Sequence, residues 1–264
     1  MTLLVTVGLV IGALATFAPL PAPPPPKPQG LIPTVAAPAP TAYPSTAQQR
    51  TLMDHPLYAL KPVGTCPRIT TPGSRRAYET QVDAVIDCLS QIYRPLIEQT
   101  GGSYTHVGLQ HYDTSVDTPC GHESGAFAFY CSRNSTIYLS DDVYASAQDG
   151  RLSVADTVLH EYSHHVQSMA GFFNAAEALN QSRSAIERRV ELQVFCWTYY
   201  MFTVVDGFAV TDTDRRFFLW LWDEANDPEG HGSVTAQKYW GARGVHAENL
   251  GACNTWSAPA GLVK

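Results

Sequence analysis

Residues 160–164 read His-Glu-Tyr-Ser-His, so two histidines are four positions apart with a glutamate directly after the first. On an α-helix this spacing puts both imidazoles on one face, one turn apart, where they can bind the same metal ion. Glu161 would project beside that ion and could act as a general base toward a water molecule. The pattern therefore indicates hydrolysis at a Zn2+ ion held by His160 and His164.

A catalytic zinc ion usually takes three protein ligands, and Glu191 is the candidate for the third. From Val190 onward its segment is apolar almost all round, and a buried carboxylate is costly unless a cation pairs with it. Glu187, one turn earlier, is the competitor. It lies beside Arg188 and Arg189 and is expected to face solvent.

Residues 152–169 are predicted to form the helix that carries both histidines. Ser153 and Asp156 resemble a capping pair at its start, and Gly171 suits its end. The histidines lie off the apolar stripe of this helix, which consists of Val154, Val158, Tyr162, Val166 and Met169.

Two further helices are predicted. Residues 184–202 carry Glu191 and open with Ser184 and Glu187 in the spacing of a capping box. Residues 76–94 form an amphipathic helix that Pro95 is expected to kink or end.

Residues 127–130 and 136–139 are predicted to be two short strands joined as a hairpin. We further expect residues 137–140 to line the cleft and pair with an extended substrate. The segments 227–230 and 241–244 contain turn residues, so the C-terminal part is predicted to be rich in turns. Helices with a few strands favour an α+β fold.

The N-terminal composition changes twice. Residues 1–20 are apolar and uncharged, which is typical of a signal peptide or an N-terminal membrane anchor. Residues 21–50 hold ten of the 19 prolines and are predicted to be an extended linker. One folded domain is expected over residues 51–264, outside the cytoplasm, either secreted or anchored at the cell envelope.

Six cysteines behind an export signal indicate three disulfides, although six cysteines allow 15 pairings. Cys120–Cys131 would close the predicted hairpin, and Cys66–Cys88 and Cys196–Cys253 then follow by elimination. Unpaired buried cysteines are the alternative.

The net charge of −7 and the lack of any Lys/Arg cluster argue against nucleic acid as a partner. The expected partner is a peptide or protein substrate.

Several segments resemble, in this order, the putative neutral zinc metallopeptidases of bacteria. They are residues 119–121, 129–131, 137–139, 160–167 (HEYSHHVQ), 189–196 (RVELQVFC), 231–233 and 253–256. The resemblance implies a zincin-like metallopeptidase domain, with an active-site helix and a small β-sheet. It also implies a zinc ligand at the glutamate of Glu-Leu-Gln, here Glu191.

His231 is the best candidate for a donor that stabilises the oxyanion, because the resemblance includes it and its segment is rich in turns. A structural or exposed loop histidine is the alternative reading. Tyr162 and Tyr138 are weaker candidates, since aromatic residues at such spacings mostly pack in the core.

The chain departs from the family pattern at Phe195, where an aspartate is usual and is expected to orient a ligating histidine. A backbone carbonyl or another acid such as Asp156 takes over that task, or the site is weakened. Two alternatives to a peptidase follow. One is a weak or inactive zincin-like binding module, and the other is a structural envelope protein without metal, in which Glu191 pairs with a residue such as Arg188.

Overall fold

The computed structural model describes residues 46–224 and 230–264. The predicted signal or anchor segment 1–20, most of the predicted linker and residues 227–229 of the predicted turn lie outside these residues. The first described helix begins at Ala47, within the segment assigned to the linker, and Thr46 caps it. No helix in the described part of the chain has both the length and the apolar composition needed to cross a membrane.

Eight α-helices are described in these ranges. They are α1 Ala47–Met53, α2 Arg75–Gln99, α3 Asp141–Ser146, α4 Ser153–Met169, α5 Phe172–Glu177, α6 Arg183–Val204, α7 Asp212–Glu224 and α8 Val234–Val245.

Seven short strands accompany the helices. They are β1 Gly64–Thr65, β2 Gly108–Tyr112, β3 Ser115–Thr118, β4 Gly121–Ser124, β5 Ala128–Cys131, β6 Thr136–Ser140 and β7 Val205–Asp206. The main sheet has the order β2-β6-β5, with β6 parallel to β2 and antiparallel to β5. The predicted α+β class is confirmed. Strands β5 and β6 are the predicted hairpin, but β5 begins and ends one residue later than predicted and β6 ends one residue later.

Helix α4 lies at the centre of the fold, where it packs against α6 on one side and α2 on another. Both neighbours bury apolar residues against it. Helix α6 is apolar almost all round, as predicted, and its side chains Leu192, Val194 and Trp197 are fully buried. Hydrophobic burial on two sides therefore fixes the orientation of α4.

Helix α2 continues through Pro95 to Gln99, so the predicted end at residue 94 was wrong. Proline costs about 3 kcal/mol inside a helix. Ile97 beyond it is fully buried in the core, and this packing holds the last turn in place.

The two predicted caps were also wrong. Helix α4 has Leu152 at its N-cap without a side-chain hydrogen bond, because Ser153 donates to the carbonyl of Ser146 instead. Helix α6 is capped by Ser182, whose hydroxyl accepts a hydrogen bond from the backbone of Ala185. The predicted end of α4 is confirmed, since Gly171 follows it with φ of +74°.

Residues 241–244 were predicted to be a turn but lie inside α8. Their glycines permit close packing rather than a turn. A Cβ atom at Gly244 would lie 2.2 Å from the carbonyl oxygen of Cys196, and one at Gly241 would lie 2.6 Å from the ring of Trp222.

The three predicted disulfides, Cys66–Cys88, Cys120–Cys131 and Cys196–Cys253, are all present. The reason given for the second was wrong, because Cys120 lies in the turn between β3 and β4. Its disulfide ties that turn to the end of β5 and does not close the β5–β6 hairpin. Three disulfides are typical of an extracytoplasmic environment.

Candidate metal centre

Helices α4 and α6 bring His160, His164 and Glu191 to one point. The Nε2 atoms of both histidines lie 3.2 Å from Oε2 of Glu191. One nitrogen or oxygen atom from each of the three residues lies within 4.8 Å of the others, so they could hold one metal ion. The helical spacing predicted from sequence thus positions both imidazoles, and packing of α6 on α4 adds the carboxylate.

The two distances from the histidine nitrogens to Oε2 of Glu191 are close to those around zinc. Ligand atoms about 2.0–2.2 Å from a tetrahedral ion are roughly 3.3–3.6 Å from one another. Two imidazole nitrogens and a carboxylate oxygen are also a donor set that catalytic zinc ions take. The candidate residues therefore match zinc in spacing and in chemistry.

The charges of this cluster are strongly coupled. Burial opposes ionisation of Glu191, but His164 and His160 outweigh it and hold the pKa of Glu191 well below its usual value. Burial likewise opposes the charge on His164, but Glu191 outweighs it and raises the pKa of His164 to about 9. The carboxylate is thus ionised and surrounded by groups that stabilise a negative charge.

Glu161 is buried beside the cluster, with only 7% of its surface exposed. Burial raises its pKa, and the neighbouring histidines His160 and His164 oppose that rise. A carboxylate with a raised pKa is a better proton acceptor at neutral pH.

His231 also reaches the cluster, from the turn before α8. Its Nε2 lies 3.6 Å from Oε2 of Glu191, and its side chain is 54% exposed. The turn depends on Gly232, which has φ of +87° and lies against Leu192, the neighbour of Glu191. The chain therefore returns to the metal centre far from the segment that carries the other two histidines.

A cavity of about 320 Å³ opens over these groups. Strand β5 forms one wall, and the adjoining cavity, of about 520 Å³, shares Tyr130, Phe173, Val190 and Glu191 with it. Phe173, Leu179, Ile186 and Val190 give the second cavity apolar walls, and Arg183 and Glu187 also line it.

A family model described as putative neutral zinc metallopeptidase matches residues 66–210, more than half of the chain. The chain belongs to this family. His160, His164 and Glu191 lie within the matched range, and His231 lies beyond it.

Relatives of this zinc metallopeptidase family member are uncharacterized proteins. Those of Mycobacterium tuberculosis (Rv2575) and Mycobacterium bovis (Mb2605) are each 25% identical over 221 residues, which cover 72% of this chain and 74% of theirs. YpfJ of Escherichia coli is 28% identical over 111 residues, or 38% of this chain and 39% of its own. No solved structure is significantly similar.

Gln167, for which no role was predicted from the sequence, contacts His164 in this metallopeptidase-family site. Its side-chain oxygen lies 3.2 Å from Nδ1 of His164. Its amide nitrogen donates to the carbonyl of Val190 and to the side chain of Gln193 on α6. Its presence on the same helix face as the histidines was the available signal.

Other candidates lie away from the centre. Glu187 pairs with Arg183 at 2.7 Å near the surface, as expected of the competitor. Arg188 donates to the carbonyl of Val263, so it is not the partner of Glu191. Tyr162 and Tyr138 are buried in the core, in agreement with their packing role.

The strand expected to pair with substrate was assigned wrongly. Residues 137–140 belong to β6, which is flanked by β2 and β5 and has no free edge. The parallel pairing with β2 was not predicted, and without it β6 cannot be recognised as the central strand. Strands β2 and β5 are the edges of this sheet, and Ala128, Phe129 and Tyr130 of β5 line the cavity.

Proposed function

We propose that this protein is a zinc-dependent peptidase that acts outside the cytoplasm, with His160, His164 and Glu191 as the zinc ligands. The convergence of these three side chains at 3.2 Å carries the proposal. Membership of the zinc metallopeptidase family and three disulfides support it. Residues 1–20 would direct export or remain as a membrane anchor.

A zinc ion bound here would polarise the scissile carbonyl and make a water molecule more acidic. Glu161 then accepts the proton of the attacking water and passes it to the leaving amine. Its burial beside the histidines and its raised pKa support this role.

His231 is proposed to donate a hydrogen bond to the oxygen that becomes negative during the reaction. Its Nε2 is close to the zinc ligands, and its side chain is exposed enough to meet a substrate. Loss of one such donor typically costs about 10²–10³-fold in kcat.

The substrate is proposed to be a peptide or a protein segment in extended conformation. The edge of β5 that has no strand partner offers backbone groups for pairing, beside Glu161 and the proposed ligands. Substitutions in β5 that leave peptide affinity unchanged would count against this pairing.

The apolar walls of the adjoining cavity favour a bulky apolar side chain next to the scissile bond. Cleavage sites in a peptide mixture, mapped by mass spectrometry, should be enriched in such residues. Ile186→Trp, which narrows the cavity, should shift the preference toward small side chains. An unchanged cleavage pattern in Ile186→Trp would remove this assignment and leave the peptidase proposal intact.

The direct test is hydrolysis of an unstructured protein with and without a zinc chelator. The proposal expects cleavage that stops with chelator and returns with added zinc. A protein that binds zinc but cleaves nothing under these conditions would instead be a zincin-like binding module, an alternative motivated by Phe195.

A further inference from the structure

The two proposed histidine ligands differ in the hydrogen-bond partner of Nδ1, the ring nitrogen that faces away from Glu191. His164 has Gln167 at its Nδ1, at 3.2 Å. His160 has no hydrogen bond at Nδ1 within residues 46–224 and 230–264. A ligating histidine almost always donates this second ring N–H to an acceptor, which fixes the orientation and tautomer of the ring.

Asp156 lies one helical turn before His160, on the same face of α4. Residues four apart on a helix have Cβ atoms about 5–6 Å apart, so a carboxylate and an imidazole at these positions can meet. The Oδ1 atom of Asp156 is buried without any hydrogen-bond partner. Burial raises the pKa of Asp156 to about 6, and His160 and the Tyr199 hydroxyl oppose the rise.

Two more buried polar groups extend from this carboxylate. The hydroxyl of Tyr199 on α6 is buried and interacts with the carboxylate of Asp156. The indole N–H of Trp222 on α7 is buried beside Tyr199, and the two rings contact edge to face, with centroids 4.7 Å apart. Buried polar groups are costly unless they are hydrogen-bonded, so Asp156, Tyr199 and Trp222 can satisfy one another in one network.

Phe195 explains why the acceptor must come from α4. It lies on α6 one turn after Glu191, and its ring packs against Tyr199 and Trp222 with centroid distances of 4.9 and 6.0 Å. A phenylalanine provides no acceptor for His160. Among the described residues around this point, Asp156 provides a buried carboxylate.

We propose that Asp156 is the positioning residue for His160, accepting the hydrogen bond of its Nδ1–H, while Tyr199 donates to the same carboxylate and Trp222 donates to the Tyr199 oxygen. This inference rests on the zinc site proposed above. With the acceptor supplied by Asp156 on α4, the presence of Phe195 on α6 is compatible with an intact zinc site.

The test compares the zinc affinity of the full chain and its Asp156→Asn variant by competition with a chromogenic chelator. Loss of a partner behind a ligand typically weakens metal binding about 10–100-fold, and Asp156→Asn should show that loss. Asp142→Asn, an exposed acid on α3, is the matched control and should bind zinc like the wild type. Adding Phe195→Asp to Asp156→Asn should restore affinity, because the carboxylate then comes from α6.

Two further readouts separate positioning from general stability. Zinc-free Asp156→Asn should melt at about the same temperature as the zinc-free wild type, whereas the Nδ1 proton of His160 should lose its protection in NMR spectra of the zinc-loaded variant. If Asp156→Asn does not fold, Tyr199→Phe keeps the ring packing and should weaken zinc binding by less than the roughly 10-fold expected for a partner that contacts the ligand directly.

Zinc affinity in Asp156→Asn within twofold of wild type overturns the inference, as does an unchanged affinity in Tyr199→Phe. A loss that Phe195→Asp does not restore also counts against it. A wild-type chain that binds no zinc would instead overturn the proposed function, so the two failures are distinguishable.

Discussion

Helix α4 buries histidines on two faces whose surroundings differ in charge. On the face toward α6, His164 lies 3.2 Å from the carboxylate of Glu191. On the other face, the hydrogen bonds of His165 in the described part of the chain go to neutral groups, the hydroxyl of Tyr130 and the carbonyl of Thr105.

The consequence is a wide separation in proton affinity between adjacent residues. Both histidines lose solvation, but Glu191 raises the pKa of His164 to about 9, whereas burial lowers that of His165 to about 4. A histidine that is only buried, such as His165, is neutral. A histidine that is buried opposite a carboxylate, such as His164, lies where a positive charge is stabilised. The acid on α6 therefore distinguishes the proposed ligand His164 from the packing residue His165.

The largest effect is expected at Glu161, on the ligand side of α4. Glu161→Gln keeps the size of the side chain but removes the proton acceptor, so kcat should fall about 10²–10⁴-fold while one zinc ion per chain remains bound. Steady-state hydrolysis and metal analysis of the same sample check both parts. Full activity in this variant would refute the role of general base.

The acid on α6 can be removed directly. Glu191→Gln should weaken zinc binding by more than about 100-fold, which exceeds the usual loss for a group behind a ligand. Glu187→Gln is the matched control on the same helix, since Glu187 pairs with Arg183 near the surface. Equal zinc affinity in the two variants would remove the distinction between the two faces.

His165, on the neutral face of α4, should affect the stability of the protein in acid and not its affinity for zinc. The pKa of His165 is about 4 in the folded protein and 6.5 unfolded, so the unfolded state binds more protons between these values. The free energy of unfolding should therefore fall by about 2–3 kcal/mol from pH 6.5 to 4.5 on account of His165, with no such contribution above pH 6.5.

His165→Gln removes this contribution. Urea unfolding of zinc-free protein at pH 7.5 and 4.5 should show a smaller loss of stability in the variant than in the wild type. Its zinc affinity should stay within twofold of wild type. An identical pH dependence would contradict the neutral burial of His165.

The smallest effect is expected at Gln167, which lies behind His164. Gln167→Met should lower zinc affinity about 10-fold, the lower end for such partners. Gln193→Met is the control, because it loses the same hydrogen bond between the two glutamines but does not contact His164. Similar losses in both variants would assign the effect to core packing.

Much of the candidate site could be predicted because its signals are local. The spacing of His160 and His164 depends only on helix geometry, and Glu191 stands out as an acid in an apolar segment. The helices α4 and α6 follow from the same periodicity, and the three disulfides agree with the predicted pairs.

The predictions failed where contacts between residues far apart in the sequence determine the local structure. Pro95 stays inside α2 because Ile97 is buried beyond it, and Gly241 and Gly244 serve helix packing instead of a turn. The strand proposed to pair with substrate was misassigned because β6 also pairs with β2, for which no strand was predicted. The support by Gln167 likewise depends on contacts between helices.

In the proposed site, two imidazoles of α4 and one carboxylate of α6 bind a single zinc ion. Metal analysis of the purified chain gives the number of zinc ions, and X-ray absorption at the zinc edge identifies the ligands. We expect one zinc ion per chain with two histidine nitrogens and a carboxylate oxygen at about 2.0–2.2 Å. A chain without zinc, or a zinc ion with sulfur ligands near about 2.3 Å, would contradict it.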